Sequence, residues 1–146
     1  MRIISLDLGT KTCGFAITDE NRTIANPLEN YLYSKNDFKS LINRINYWFK
    51  IYENKIDLIV LGYPTNTIGN QTQMTIYVEN FYQILVSEKP DMQIIKFDER
   101  FSTQIGSELL MDLGIKASQR KKIKDKMAAC VILNNYLESV KNNGIH

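Results

Sequence analysis

Three acidic positions stand out by their surroundings. Asp7 lies inside Ile3-Ile4-Ser5-Leu6-Asp7-Leu8, an apolar run where a carboxylate is costly unless something pairs with it. Asp98-Glu99 ends the stretch from Met92 to Phe97 and precedes Arg100. Asp125 opens a stripe in which Ala128, Ala129, Ile132 and Tyr136 recur at helical spacing. Each has an ordinary role available. Asp7 can bond the amides of the Gly9-Thr10-Lys11 turn, one acid of Asp98-Glu99 can pair with Arg100, and a helix dipole favours an acid at a helix start. Taken together they point to a carboxylate cluster. Three acids in one cleft repel each other unless a cation lies between them, and hard cations that prefer oxygen ligands, Mg²⁺ or Mn²⁺, suit such a site. Two such ions about 3.5–4 Å apart activate a water and stabilise the leaving oxygen of a phosphodiester. Neighbouring residues on a strand face opposite ways, so one of Asp98 and Glu99 turns toward Asp7 and the other away.

Positioning these acids requires a rigid scaffold. The run from Ile3 to Leu8 reads as a strand buried on both faces at the centre of a mixed sheet. Gly14 to Thr18 and Thr23 to Tyr33 read as further strands, and their short links require antiparallel pairing. Asn36-Asp37 offers an N-cap to a helix with Phe38, Leu41, Ile42, Ile45, Trp48, Phe49 and Tyr52 on one broad apolar face. Asp57 to Gly62 is a short strand suited to parallel pairing beside the first. It opens through Tyr63-Pro64 into the polar segment from Thr65 to Asn70, at the strand ends where open α/β sheets bind ligands. Gln71 to Ser87 reads as a helix with Met74, Val78, Phe81 and Leu85 on one face, and Met92 to Phe97 as the strand that delivers Asp98-Glu99. Ser102 or Thr103 caps a further helix carrying Ile105, Leu109 and Leu113 and closed by Gly114. A basic stretch then lies beside the start of a last helix that runs to about Val140. The order β-β-β-α-β-α-β-α-α is one layered α/β domain over residues 1–146.

Composition narrows the function classes. A net charge of +2 is too small to imply nucleic-acid binding by itself, so a basic patch has to be local. Its candidates are Lys11, Arg100, Lys116, Arg120, Lys121, Lys122 and Lys124, with Lys126 beside them. The one histidine, His146, excludes a His-based triad or a His-rich zinc site. Cys13 and Cys130 stand in no metal-ligand spacing and read as reduced packing residues. No apolar run approaches the roughly 20 residues that span a bilayer, and no signal-peptide layout is present, so the expected location is cytoplasmic, with no membrane partner.

Asp7-Leu-Gly-Thr10, Leu61-Gly-Tyr-Pro64, Asp98-Glu-Arg-Phe-Ser-Thr103 and Asp125-Lys-Met-Ala-Ala129 occur in that order. Together they resemble the YqgF family of RuvX-like Holliday-junction resolvases and pre-16S rRNA nucleases, over nearly the whole chain. The resemblance implies a ribonuclease H-like fold: a five-stranded mixed sheet with strands one to three antiparallel, strands four and five parallel to the first, and helices on both faces. It implies a metal-dependent nuclease with Asp7, Glu99 and Asp125 on the family's acidic positions, as catalytic and metal-binding residues. Structured RNA or DNA is the implied partner, pre-16S rRNA processing the expected role, and a monomer or weak homodimer the expected state. Junction resolution, and a non-catalytic nucleic-acid-binding factor on the same fold, are the alternatives. If two ions act, Asp7 touches both, with Glu99 completing one site and Asp125 the other. Tyr63 stands where the family usually has Leu, and Phe101-Ser102 where it often has Leu-Thr. Asp7-Leu-Gly-Thr10 also resembles the first phosphate motif of actin-like ATPases and sugar kinases, which enclose a nucleotide between two such domains.

Overall fold

The computed structural model describes residues 1–64, 72–98, 114 and 116–142, with the side chains of 117, 118, 120–126 and 142 excepted. Five strands form one sheet: β1 (Arg2–Leu8), β2 (Thr12–Thr18), β3 (Ala25–Leu32), β4 (Ile56–Tyr63) and β5 (Gln93–Asp98). Their order is β3-β2-β1-β4-β5. β1 pairs antiparallel with β2 and parallel with β4, β2 pairs antiparallel with β3, and β4 pairs parallel with β5. The expected mixed sheet is therefore present, with β1 at its centre.

Alternation along β1 divides the molecule into two layers. Ile4, Leu6 and Leu8 join one apolar cluster, and Ile3 joins another on the opposite face. Helices α1 (Phe38–Ile51) and α2 (Gln73–Glu88) cover the first face through Leu41, Ile42, Ile45, Val78, Phe81 and Leu85. Asp37 caps α1, its carboxylate accepting from the Ser40 amide at 3.3 Å. Thr72 caps α2, its hydroxyl accepting from the Thr75 amide at 3.1 Å. The last helix, α3 (Ala117–Asn142), covers the other face with Ala129, Cys130, Ile132 and Leu133. Cys13 and Cys130 are both buried free thiols, as expected.

Several boundaries shift by one or two residues from the sequence reading, and the start of the last helix shifts most. The basic residues do not lie beside the start of the last helix; Arg120, Lys121, Lys122 and Lys124 fall within it, because the helix begins at Ala117. Alanine, glutamine, arginine and lysine are good helix formers and extend the element before any apolar periodicity begins. The helix expected from Ser102 or Thr103 to Leu113 lies outside the described residues. Gly114, expected to close it, has φ = 72°, left-handed backbone that glycine adopts without steric cost. No described helix is long and apolar enough to cross a membrane.

Candidate functional site

Asp7 is the half-buried penultimate residue of the central strand. It shares a face of β1 with Ile3 and Ser5, the face that α3 covers. Its Cα partner on β2 is Gly14. On the other side the ladder pairs Ser5 with Val60 and Leu6 with Leu61, so the next rung sets Asp7 beside Gly62. The strand position of Asp7 thus has a residue without a side chain beside it on each adjoining strand.

The turn after Asp7 is held tightly. The Gly9 amide donates to the Thr12 carbonyl at 2.8 Å. A Cβ at position 9 would meet that same oxygen at 3.1 Å, so a side chain there would push the turn open. Above it runs a chain of hydroxyls. The Asn36 amide donates to the Tyr77 hydroxyl at 3.1 Å, Tyr77 and Tyr33 are bonded through their hydroxyls at 2.7 Å, and Tyr33 donates to the Gly9 carbonyl. Because the Gly9 carbonyl only accepts, the protons run from Asn36 through Tyr77 and Tyr33 to Gly9. Burial, and then the bond to Tyr77, push the Tyr33 phenol well above its ordinary pKa, so it remains a neutral donor. Cys13, buried beneath the turn, is likewise raised by burial first and by the Asp7 charge second.

The phase of β5 bears on the choice between Asp98 and Glu99. Phe97 lies on the α3 face, its ring edge-on to Tyr136 at 5.7 Å. Lys96 lies on the opposite face, with Nζ 3.1 Å from the Glu79 carboxylate and over the rings of Tyr63 and Tyr82. Asp98 is two residues on from Lys96, so strand alternation gives it the parity of the Lys96 face. Glu99 and Arg100 lie outside the described residues.

Two anchors fix the path of α3. Near its end, Tyr136 and Leu137 share a groove with Ile3. Further back, the Ser5 hydroxyl donates to the Ala129 carbonyl at 2.7 Å. Moving toward its N-terminus, α3 climbs β1 toward Asp7. The backbone of position 125 lies one turn before Ala129 on that climb; the Asp125 side chain lies outside the described residues. Ala129 and Ile132 are fully buried and Tyr136 packs against the same cluster, so the stripe faces the core from Ala129 onward.

Among the binding candidates, Lys11 is exposed in the turn between β1 and β2, and Lys116 is exposed just before α3. Arg120, Lys121, Lys122 and Lys124 are on α3, with side chains outside the described residues. All three described helices direct their N-termini to the edge that carries Asp7, and none has an acid in its first turn. That edge is favourable for an anion. The groove of about 540 Å³ lined by Ile3, Arg22, Tyr136 and Lys141 opens at the opposite edge and takes no part in this arrangement.

Comparison with known proteins agrees with this layout. A family model described as "RuvX: Holliday junction resolvase" matches residues 1–139. A protein of Ureaplasma parvum serovar 3 named "Putative pre-16S rRNA nuclease" is 45% identical over 141 residues, covering 94% of this chain and 96% of its own. One of the same name from a Geobacillus strain is 35% identical over 139 residues, covering 95% and 99%. Among solved structures, Thermus thermophilus RuvC in complex with a Holliday junction substrate superposes with a TM-score of 0.55 at 10% identity, covering 95% of this chain and 96% of its own. The fowlpox virus Holliday junction resolvase gives 0.53 at 16% identity, covering 96% and 99%. At such identities the structures speak for the fold, which is ribonuclease H-like.

Proposed function

The chain belongs to the RuvX family, and from that membership we propose that it is a metal-dependent nuclease that processes precursor 16S rRNA in the cytoplasm. Its general class, hydrolysis of phosphodiester bonds, follows from the family and its close relatives. The observation that carries the finer reading is the half-buried Asp7 on the central strand, between Gly14 and Gly62, under the path of α3.

In this reading Asp7, Glu99 and Asp125 form the ligand set. Two geometric arguments support it. One two-residue step along β1, from Ser5 to Asp7, is about 6.6 Å, and one turn back along α3, from Ala129 to Asp125, is about 6 Å. From the Ser5–Ala129 contact, position 7 on β1 and the backbone of position 125 on α3 are therefore reached by steps of similar length toward the same edge. Phe97 on the α3 face gives the next residue of that parity as Glu99. Carboxylate oxygens beside two glycines suit Mg²⁺ or Mn²⁺, and two such ions, when bound, supply an activated water and stabilise the leaving oxygen.

The chain's own part is positional. Asp7, on the central strand of the sheet, fixes where the negative charge of the site is held. The Tyr33–Tyr77 pair holds the turn behind it, and the helix N-termini with Lys11, Lys116 and the basic turns of α3 draw the phosphate backbone to the edge. The 146 residues act as one domain, a monomer or weak homodimer.

Junction resolution is the second reading, favoured by the family description and by the fold of the resolvases. Ribosomal processing is preferred because relatives at 45% identity carry that name, whereas the resolvase structures are at 10% and 16%. Side-by-side cleavage of a precursor 16S fragment and a four-way DNA junction by pure protein decides between them. Faster turnover of the RNA supports processing. Faster turnover of the junction moves the assignment to resolution.

A further inference from the structure

Lys11, Lys35 and Lys39 are exposed residues brought to one corner of the active edge by three separate elements. Lys11 is in the β1–β2 turn, Lys35 in the link from β3 to α1, and Lys39 in the first turn of α1. The corner is a fixed one. The Tyr33 amide donates to the Lys11 carbonyl at 3.0 Å, which ties the turn to the link. The Tyr31 and Ser40 hydroxyls bond at 2.6 Å, which ties β3 to the residue after Lys39. The Asn36–Tyr77–Tyr33–Gly9 chain braces the whole corner.

None of the three lysines enters an ion pair among the described residues. The nearest acid in sequence, Asp37, has its carboxylate engaged as the cap of α1. Helix stability does not account for Lys39, since a cation in the first turn faces the positive end of the helix dipole and no acid in that turn offsets it. Lys50 and Lys141, by contrast, are in the last turns of α1 and α3, where the dipole favours them.

We propose that Lys11, Lys35 and Lys39 form a second phosphate-binding track, which carries the nucleic-acid backbone from the Asp7 site across the β3–α1 corner. The basic turns of α3 would grip the substrate on one face of the active edge, and this track, running from the β1–β2 turn to the start of α1 on the opposite face of the sheet, would carry it onward. The inference rests on the nucleic-acid reading above and adds Lys35 and Lys39 to it.

The test compares two full-length triple variants of equal charge change. One is Lys11→Gln/Lys35→Gln/Lys39→Gln; the other is Lys50→Gln/Lys55→Gln/Lys141→Gln, at the opposite edge. Binding of a labelled RNA hairpin is measured across a salt series with divalent ions chelated, so that it is read without cleavage. Each phosphate contact contributes roughly 0.7–0.9 to the slope of log affinity against log salt. The first variant is expected to lower the slope by about 2 and to weaken binding at low salt roughly tenfold, while the second retains the wild-type slope. Equal losses in both variants would reduce the effect to net charge and overturn the track. No loss in the first would overturn it too, leaving the nuclease reading in place. A wild-type chain that neither binds nor cleaves the RNA would remove both.

Discussion

Tyr33→Phe removes one oxygen and, with it, the hydroxyl that donates to the Gly9 carbonyl and bonds Tyr77. Tyr77 keeps the Asn36 amide, so the loss centres on a partly buried carbonyl left without its donor. A neutral hydrogen bond contributes about 0.5–1.5 kcal/mol, and an unsatisfied buried acceptor costs about 1–3 kcal/mol, so a destabilisation of about 1–2 kcal/mol is expected. With an unfolding entropy of about 2.1 cal/mol/K per residue, a chain of this length should melt about 3–6 °C lower. The variant also has a pH signature. In the folded protein the Tyr33 pKa is raised, whereas in the unfolded chain it is ordinary, about 10. Above that pH the unfolded state releases a proton that the folded state keeps, so stability falls as pH rises. The contribution is fully present below pH 10 and is lost above it. Buried Cys13 acts in the same sense from somewhat lower pH, so the difference between wild type and Tyr33→Phe isolates the phenol. Thermal melts followed by circular dichroism from pH 7 to 11 measure both effects. A variant that melts within 1 °C of wild type, with the same alkaline decline, would refute the role given to the hydroxyl chain.

Two further outcomes follow from the same geometry. Gly14→Ala adds a side chain on the strand beside Asp7; cleavage should fall tenfold or more while the melting temperature moves by only a few degrees, since small misplacements at a reacting centre are costly. Steady-state rates set against melting curves check it. Asp37→Ala removes the cap of α1 and should cost about 1 kcal/mol, or roughly 3 °C in the melt, without a change in the metal concentration needed for half-maximal rate.

Much of the scaffold was legible because its signals are local. The apolar run around Asp7 reads as a central strand in any context, and Asp37 before an amphipathic run reads as a cap. Alternation said that one of Asp98 and Glu99 faces the site, yet it could not say which. The phase of β5 is set by what Phe97 and Lys96 touch, namely Tyr136 on one face and Glu79 on the other. The early start of α3 was hidden because lysine-rich turns form helix without apolar periodicity. Tyr33 and Tyr77 are 44 residues apart, and no spacing rule joins them. Gly14 and Gly62 gain meaning only through register, as the residues on either side of Asp7. Lys35 and Lys39 fall outside any basic run, and only the folding of β3 onto α1 brings them to the corner where Lys11 lies.

The central claim is that Asp7 holds the charge on which phosphodiester cleavage depends, and Asp7→Asn tests it with least disturbance to shape. Cleavage of a precursor 16S rRNA fragment would be followed over a Mn²⁺ and Mg²⁺ titration, beside wild type and beside a reaction in excess chelator. Loss of one preorganised electrostatic group costs about 10²–10³ in rate, and a fall of that size is predicted at every metal concentration. Hairpin binding should survive, and the metal-free melting temperature should hold or rise slightly as carboxylate repulsion is relieved. Undiminished cleavage by Asp7→Asn, or full wild-type activity in excess chelator with contaminating nuclease excluded, would contradict the account.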